Sequence, residues 1–217
     1  MKINKQPYTQ SVIEEIANSI THGIGTLLSI AGLVILIVAA CLKGDVWHVV
    51  SFAVFGSCLV LLYLASTLYH SFQSEKVKNI FRVMDHSAIY LLIAGSYTPF
   101  TLTLLRGGWG WSLFGIVWGL ALGGIVFKLF FVNKFNVLST IIYLMMGWMI
   151  VVAAKPLINT LPVNGLYFLL AGGASYSLGT IFYLWEKLRF HHAIWHLFVL
   201  LGSVCHFFAV LLYTLPE

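Results

Sequence analysis

The chain has 217 residues, of which 60% are hydrophobic and 9% are charged, and its mean hydropathy is +0.94. Soluble domains contain about 45 to 50% apolar residues, so this composition excludes an ordinary soluble domain and indicates an integral membrane protein. The net charge of +5 comes from 12 Lys and Arg residues that are scattered through short segments. Because they form no basic face, we expect no nucleic-acid partner.

Apolar runs of membrane-spanning length follow one another along the chain, separated by short connections rich in turn residues. Each crossing of a bilayer takes about 20 apolar residues, which leaves no room for a soluble second domain. The predicted fold is an all-α bundle of seven transmembrane helices in a single domain, residues 1–217. The predicted helices are residues 20–42, 47–72, 86–105, 109–131, 136–154, 164–185 and 193–213.

The basic residues are divided unequally between the two sides that seven spans define. Nine fall on the side of the N-terminal tail and three on the other, which predicts a cytoplasmic N-terminus and an external C-terminus by the positive-inside rule. The expected location is the cell membrane, as a multi-pass protein of the bacterial inner (plasma) membrane. The nine are Lys2, Lys5, Lys76, Lys78, Arg82, Lys128, Lys134, Lys187 and Arg189, and the three are Lys43, Arg106 and Lys155.

Three glycines in the fourth predicted helix, Gly115, Gly119 and Gly123, repeat at a spacing of four residues and therefore share one face. Small residues at this spacing allow a neighbouring helix backbone to approach closely. We favour packing within the bundle, and a homodimer interface is the alternative.

Histidines stand at the ends of two predicted helices. His192 and His196, four residues apart, project from one face at the start of the seventh helix, and His70 ends the second. The end of an even-numbered span and the start of an odd-numbered span lie on one side of the membrane, so all three are expected at one depth near the cytoplasmic face. Each alone also fits an imidazole that reaches interfacial water. Because ionisable groups in a bilayer are costly and commonly functional, the pattern predicts a metal site.

Two further residues fall beside this predicted site. Asp85 opens the third predicted helix on the same side, where its alternative role is an ordinary N-cap, and Ser66 precedes His70 by four residues on one helix face. Three neutral imidazoles leave one tetrahedral position for water, as in catalytic zinc sites. The residues therefore predict zinc-assisted attack of water on an ester or amide carbonyl. Asp85 would orient the water or move its proton, and Ser66 would hold a polar substrate group.

Two other histidines have less defined roles. His22 follows Asn18 at four-residue spacing where the first predicted helix begins, and the two residues are predicted to belong to an interfacial helix start or, alternatively, to the mouth of a cavity. His206 is predicted to be a core histidine with satisfied hydrogen bonds or a polar group that lines the cavity.

Taken together, these motifs resemble the bacterial hemolysin III family, within the superfamily of progestin and adipoQ receptors. The resemblance covers nearly the whole chain. The residues that carry it are Glu15, Asn18, Thr21 and His22; residues 66–70; Asp85, Ser87 and residues 95–99; residues 192–196; and residues 205–208.

The resemblance implies a seven-helix fold with Zn²⁺ bound at the positions of His70, His192 and His196. In the receptor branch, the position of Asp85 holds a zinc-bound water and that of Ser66 belongs to the same motif. The receptor branch is linked to ceramidase-like hydrolysis of lipid amides. The bacterial branch is named for a haemolytic, pore-forming activity, and some members are associated with membrane lipid homeostasis.

We therefore expect a zinc-dependent hydrolase of a membrane lipid amide or ester. A pore-forming cytolysin is one alternative, and a sensor or transporter with a structural zinc ion is another. The receptors have a long cytoplasmic N-terminal region that is not found before the first predicted helix, so hormone signalling is not expected.

Overall fold

The computed structural model describes residues 10–216, and every regular element in that range is helical. Lys2 and Lys5, which contributed to the predicted orientation, lie outside the described residues. The helices are α1 (Val12–Lys43), α2 (Val46–Ser71), α3 (Glu75–Leu102), α4 (Gly108–Phe131), α5 (Asn136–Gly147), a 3₁₀ segment (Trp148–Ala153), α6 (Ala154–Thr160), α7 (Val163–Leu184) and α8 (His191–Tyr213).

Six stretches of this bundle are long and apolar enough to cross a membrane, and they include α1, α2, α4, α7 and α8. The sixth is the continuous run Asn136–Thr160, which comprises α5, the 3₁₀ segment and α6. The remaining long helix, α3, is less apolar and packs between α2 and α4. Much of its second half is buried inside the protein, so α3 lacks the lipid-facing apolar side chains that mark the six candidate spans. The structure is thus that of a multi-pass helical membrane protein.

The first helix begins at Val12, well before the predicted residue 20. Ser11 caps it in a reciprocal capping box with Glu14, an arrangement that satisfies two backbone N–H groups at a helix start. Asn18 and His22 therefore both lie well inside α1, and the prediction that they mark the start of the first helix is wrong. The apolar pattern missed this start because the polar residues of its first turns face the protein interior.

The third helix also begins earlier than predicted, at Glu75, with Ser74 at its N-cap. Asp85 therefore lies inside α3, and both the prediction that it opens the helix and its alternative role as an N-cap are wrong. The first turns of α3 carry charged, mostly exposed residues that apolar periodicity does not register as part of a span.

A 3₁₀ segment interrupts the Asn136–Thr160 run between α5 and α6. The Tyr97 hydroxyl lies 2.8 Å from the carbonyl oxygen of Met146 and 2.7 Å from that of Gly147, and it accepts a hydrogen bond from the Ile150 N–H at 2.9 Å. This one side chain satisfies backbone groups that the regular helix would have paired. The span then continues through Pro156, which the sequence had placed in a connection, in the first turn of α6, where proline is tolerated.

The glycine face of α4 does not pack within the bundle. Gly115, Gly119 and Gly123 are exposed, and a Cβ added at any of them would meet nothing within 4 Å in the described part of the chain. The preferred interpretation of intramolecular packing is therefore wrong, since Gly124 instead faces the interior, against the Tyr90 ring. The homodimer stays a prediction.

Candidate metal centre

The three histidines that were predicted to form a metal site lie close together. His70 lies in the last turn of α2, and His192 and His196 lie in the first two turns of α8. One ring nitrogen from each imidazole falls within 4.8 Å of the other two. His70 and His196 are almost fully buried, at 2% and 1% exposure. The three side chains thus form one group able to hold a metal ion. This agrees with the prediction that the end of α2 and the start of α8 lie on the same side of the membrane.

Hydrogen bonds determine which nitrogen of His70 faces this group. Its Nδ1 lies 2.6 Å from a carboxylate oxygen of Glu15. Because a carboxylate can only accept, Nδ1 carries the proton. Nε2 is then unprotonated and carries a free lone pair. It is buried and has no hydrogen-bond partner among residues 10–216. A buried acceptor left unpaired is costly, and a metal ion would satisfy it.

His196 is oriented in the same way. Its Nδ1 lies 3.2 Å from the backbone carbonyl oxygen of Asn18, an obligatory acceptor, and 3.1 Å from the Thr21 hydroxyl oxygen. Nδ1 therefore donates, and Nε2 is left as the free nitrogen. Metal-ligating histidines commonly donate their second N–H to a carboxylate or carbonyl in this way, so the donor set fits a bound metal.

Asp85 and Ser66 occupy different positions around this group. Asp85 lines the same cavity as His192 and His196 but is not a member of the metal-binding group. Its carboxylate is 3.6 Å from Nδ1 of His86, which is too long for a hydrogen bond. Ser66 is fully buried one turn before His70, and its hydroxyl has no partner in the described structure. The Asp85 carboxylate therefore faces the cavity, whereas the unpaired Ser66 hydroxyl lies behind its wall.

The residues that the sequence did not assign to the site come from α1. His22 stacks on His196 with ring centroids 3.4 Å apart and meets Tyr63 edge-on at 5.0 Å. Both of its nitrogens are buried without a hydrogen-bond partner within residues 10–216, and it lines the cavity. The proposed cavity role is therefore favoured over a simple interfacial one.

A signal for these residues was present in the sequence. Glu15, Asn18, His22 and Ser29 recur at helical spacing and form the buried stripe of α1. A polar stripe on an otherwise apolar span predicts a face that turns toward a polar site.

An apolar cavity with a volume of about 110 Å³ adjoins the histidine group. Its lining comes chiefly from α3, α5, α7 and α8. On one side Trp148, in the 3₁₀ segment between α5 and α6, donates a hydrogen bond to the Ser177 hydroxyl of α7 at 2.9 Å. Other lining residues include Ile89, Leu92, Leu144, Gly173, Tyr176 and Val199. A polar group on the wall of an otherwise apolar cavity suits an amphipathic ligand.

His206 lies deeper in α8 and does not join the group. It is buried and stacks on Tyr176, with ring centroids 5.4 Å apart. Tyr176 lines the cavity and also lies 2.9 Å from the Ser203 hydroxyl, which accepts a hydrogen bond from Tyr63. His206 is thus a packed core residue and is not among the residues that line the cavity. Its Nδ1 has no hydrogen-bond partner within residues 10–216, so the prediction of a satisfied core histidine is met only in its burial.

Fold and site together define the class: a multi-pass helical membrane protein with a candidate three-histidine metal centre between its second and last helices. Comparison with known proteins gives the family. The chain belongs to the Haemolysin-III related family, whose pattern matches residues 10–207. The resemblance predicted from the motifs is therefore confirmed.

Relatives match the chain over almost its whole length. It is 59% identical over 208 residues to Hemolysin-3 of Bacillus cereus, covering 96% of this chain and 95% of that protein. It is 58% identical over 203 residues to the Hemolysin-3 homolog of Bacillus subtilis (strain 168), covering 94% and 95%. More distantly, it is 30% identical over 209 residues to the human monocyte to macrophage differentiation factor, covering 94% and 85%.

Proposed function

We propose that this protein is a zinc-dependent hydrolase that cleaves an amide or ester bond of a membrane lipid. The observation that carries the proposal is the group of three buried histidines at the edge of an apolar cavity. Three neutral imidazoles are typical of a catalytic zinc site, since they leave a coordination position open. The cavity would take the apolar chain of the lipid, and the histidine group would face its polar linkage.

The topology that we propose has seven spans, with α3 as the seventh, and a cytoplasmic N-terminus with an external C-terminus in the bacterial plasma membrane. It is supported by the excess of basic residues on the side where α2 ends and α8 begins. In this orientation the histidine group lies near the cytoplasmic face, within reach of lipids of the inner leaflet.

His70, His192 and His196 would hold the ion. When bound, Zn²⁺ supplies a Lewis acid that polarises a carbonyl oxygen and lowers the pKa of water. The Asp85 carboxylate, on the cavity wall, orients the attacking water and accepts its proton. That proton then passes to the leaving amine or alcohol, so Asp85 ends the cycle ionised. The Ser66 hydroxyl, unpaired and buried, donates a hydrogen bond to a polar group of the substrate.

Removal of the metal tests the proposal. Purified protein in lipid–detergent micelles is expected to release fatty acid from a panel of lipid amides and esters. Chelation should abolish the release, because the zinc ion no longer polarises the carbonyl oxygen. Added Zn²⁺ should restore it. Undiminished release from zinc-free protein would contradict the proposal. Loss of thermal stability on chelation, with no lipid turned over before it, would instead favour a structural zinc ion.

Filling the cavity should discriminate between long and short lipid chains. Gly173 lines the cavity, and a Cβ there would meet only the Trp148 ring at 3.5 Å. Gly173→Leu is therefore expected to raise KM for a long-chain substrate about tenfold or more, since lost burial of a few methylenes costs roughly 0.8 kcal/mol each. A short-chain substrate should be affected less. Gly115→Leu, on the exposed face of α4, is the matched control and should change neither KM value.

A second candidate function is pore formation, favoured by the name of the relative Hemolysin-3. Leakage of a dye from liposomes that persists after chelation, without release of fatty acid, would support it. The helices have the length and apolar composition of permanent membrane spans, not of segments that insert after export. Pore formation is therefore the second candidate.

A further inference from the structure

The first two turns of α1 supply no member of the histidine group, yet they contact both helices that carry it. Glu15 pairs with His70 on α2, and the Asn18 carbonyl accepts from His196 on α8. We infer that Glu15 is a positioning residue of the centre. Its carboxylate, held by Lys78 of α3, keeps the His70 imidazole in the tautomer and orientation that present Nε2 to the metal. This inference rests on the zinc centre of the proposed function.

The contact between Glu15 and His70 is short and shielded from solvent. The distance from the carboxylate to Nδ1 is 2.6 Å, and the side chains are 11% and 0% exposed. The Asn18 amide nitrogen also approaches the same Nδ1, at 3.5 Å. The shorter contact decides the tautomer, because a carboxylate only accepts hydrogen bonds and the longer approach is at the limit of one.

The second carboxylate oxygen of Glu15 forms an ion pair with the Lys78 ammonium, whose side chain is 18% exposed. Glu15 therefore joins α1, α2 and α3 through one side chain. A carboxylate in this environment needs a partner for its charge, and Lys78 provides it without occupying the oxygen that faces His70. The extension of α3 beyond its apolar part places Lys78 at this point.

The α8 side of the centre has a parallel connection. Glu14, which precedes Glu15 in the chain, accepts a hydrogen bond at 3.0 Å from the backbone N–H of Phe190, immediately before α8. The two neighbouring carboxylates of α1 thus point to the two metal-bearing helices. A purely structural ion pair between Glu15 and Lys78 would hold α1 to α3 but would not require the contact with His70.

Zinc affinity, measured by competition with a chelator, tests the inference directly. Glu15→Ala is expected to weaken Zn²⁺ binding about 10- to 100-fold, the usual effect of losing a hydrogen-bond partner behind a metal ligand. Glu15→Gln keeps an acceptor oxygen for Nδ1 and should recover part of the loss. The Zn²⁺ affinity of Lys78→Met should lie between that of wild type and that of Glu15→Ala. The visible absorption of bound Co²⁺, which reports coordination geometry, should change in Glu15→Ala and return toward wild type in Glu15→Gln.

Ser19→Ala is the matched control, because Ser19 bonds Ser71 at 2.7 Å across the same α1–α2 contact without touching His70. It should bind Zn²⁺ as wild type does. Wild-type affinity and Co²⁺ spectrum in Glu15→Ala, or an equal loss of affinity in Ser19→Ala, would overturn the inference alone. Wild-type protein that binds no Zn²⁺ would overturn the proposed function and the inference with it.

Discussion

Replacing His192 by alanine is expected to reduce lipid hydrolysis to background. A tetrahedral catalytic site needs three protein ligands, and the two remaining imidazoles cannot hold the ion. The zinc ion that activates the carbonyl is therefore lost. His192 is the most informative of the three positions, because it is only partly buried. His70→Ala should also abolish activity, but it removes the hydrogen-bond donor of Glu15 as well. A buried carboxylate that loses one of its two partners, here retaining only Lys78, destabilises the fold.

His206→Ala is the control for this prediction. His206 is a buried histidine on the same helix and lies outside the metal-binding group. Its variant should keep full zinc content and most of the turnover. Turnover in His192→Ala equal to that of wild type, measured as fatty acid released per minute, would show that the histidine group is not the reacting centre.

The second large effect is expected at Asp85. Asp85→Asn should lower kcat by about 10²- to 10⁴-fold, the usual contribution of a positioned general acid or base, because an amide cannot accept the proton of water. Zinc content should be unchanged, since Asp85 is not in the group of ligands. This separation of turnover from metal binding distinguishes Asp85 from the three histidines.

Glu75→Gln removes an exposed carboxylate from the first turn of the same helix and serves as its control. It should leave both turnover and zinc unchanged. If Asp85→Asn lost zinc in parallel with activity, Asp85 would be a ligand or a structural residue. If it retained full turnover, the proton-transfer role would be wrong.

The position of the histidine group could be predicted because it depends on simple geometry. Helical spacing places His192 and His196 on one face, and the alternation of spans brings His70 to the same side of the membrane. The apolar runs gave α2, α4, α7 and α8 to within two residues, since these helices bury or expose apolar surface along their whole length.

The features that the sequence did not reveal depend on tertiary contacts. The starts of α1 and α3 carry polar residues that face the site or solvent, and apolar periodicity does not register them. The 3₁₀ break after Gly147 is stabilised by the hydroxyl of Tyr97, about fifty residues earlier in the chain. Likewise, the partnership of Glu15 with His70 exists only because α1 packs against the end of α2.

The most direct test of this account is the metal content of purified wild-type protein beside His192→Ala, measured by elemental mass spectrometry without added metal. Wild type is expected to contain about one zinc ion per chain, as a single three-histidine site requires, and the variant close to none. Equal zinc in the two proteins, or none in wild type, would contradict it.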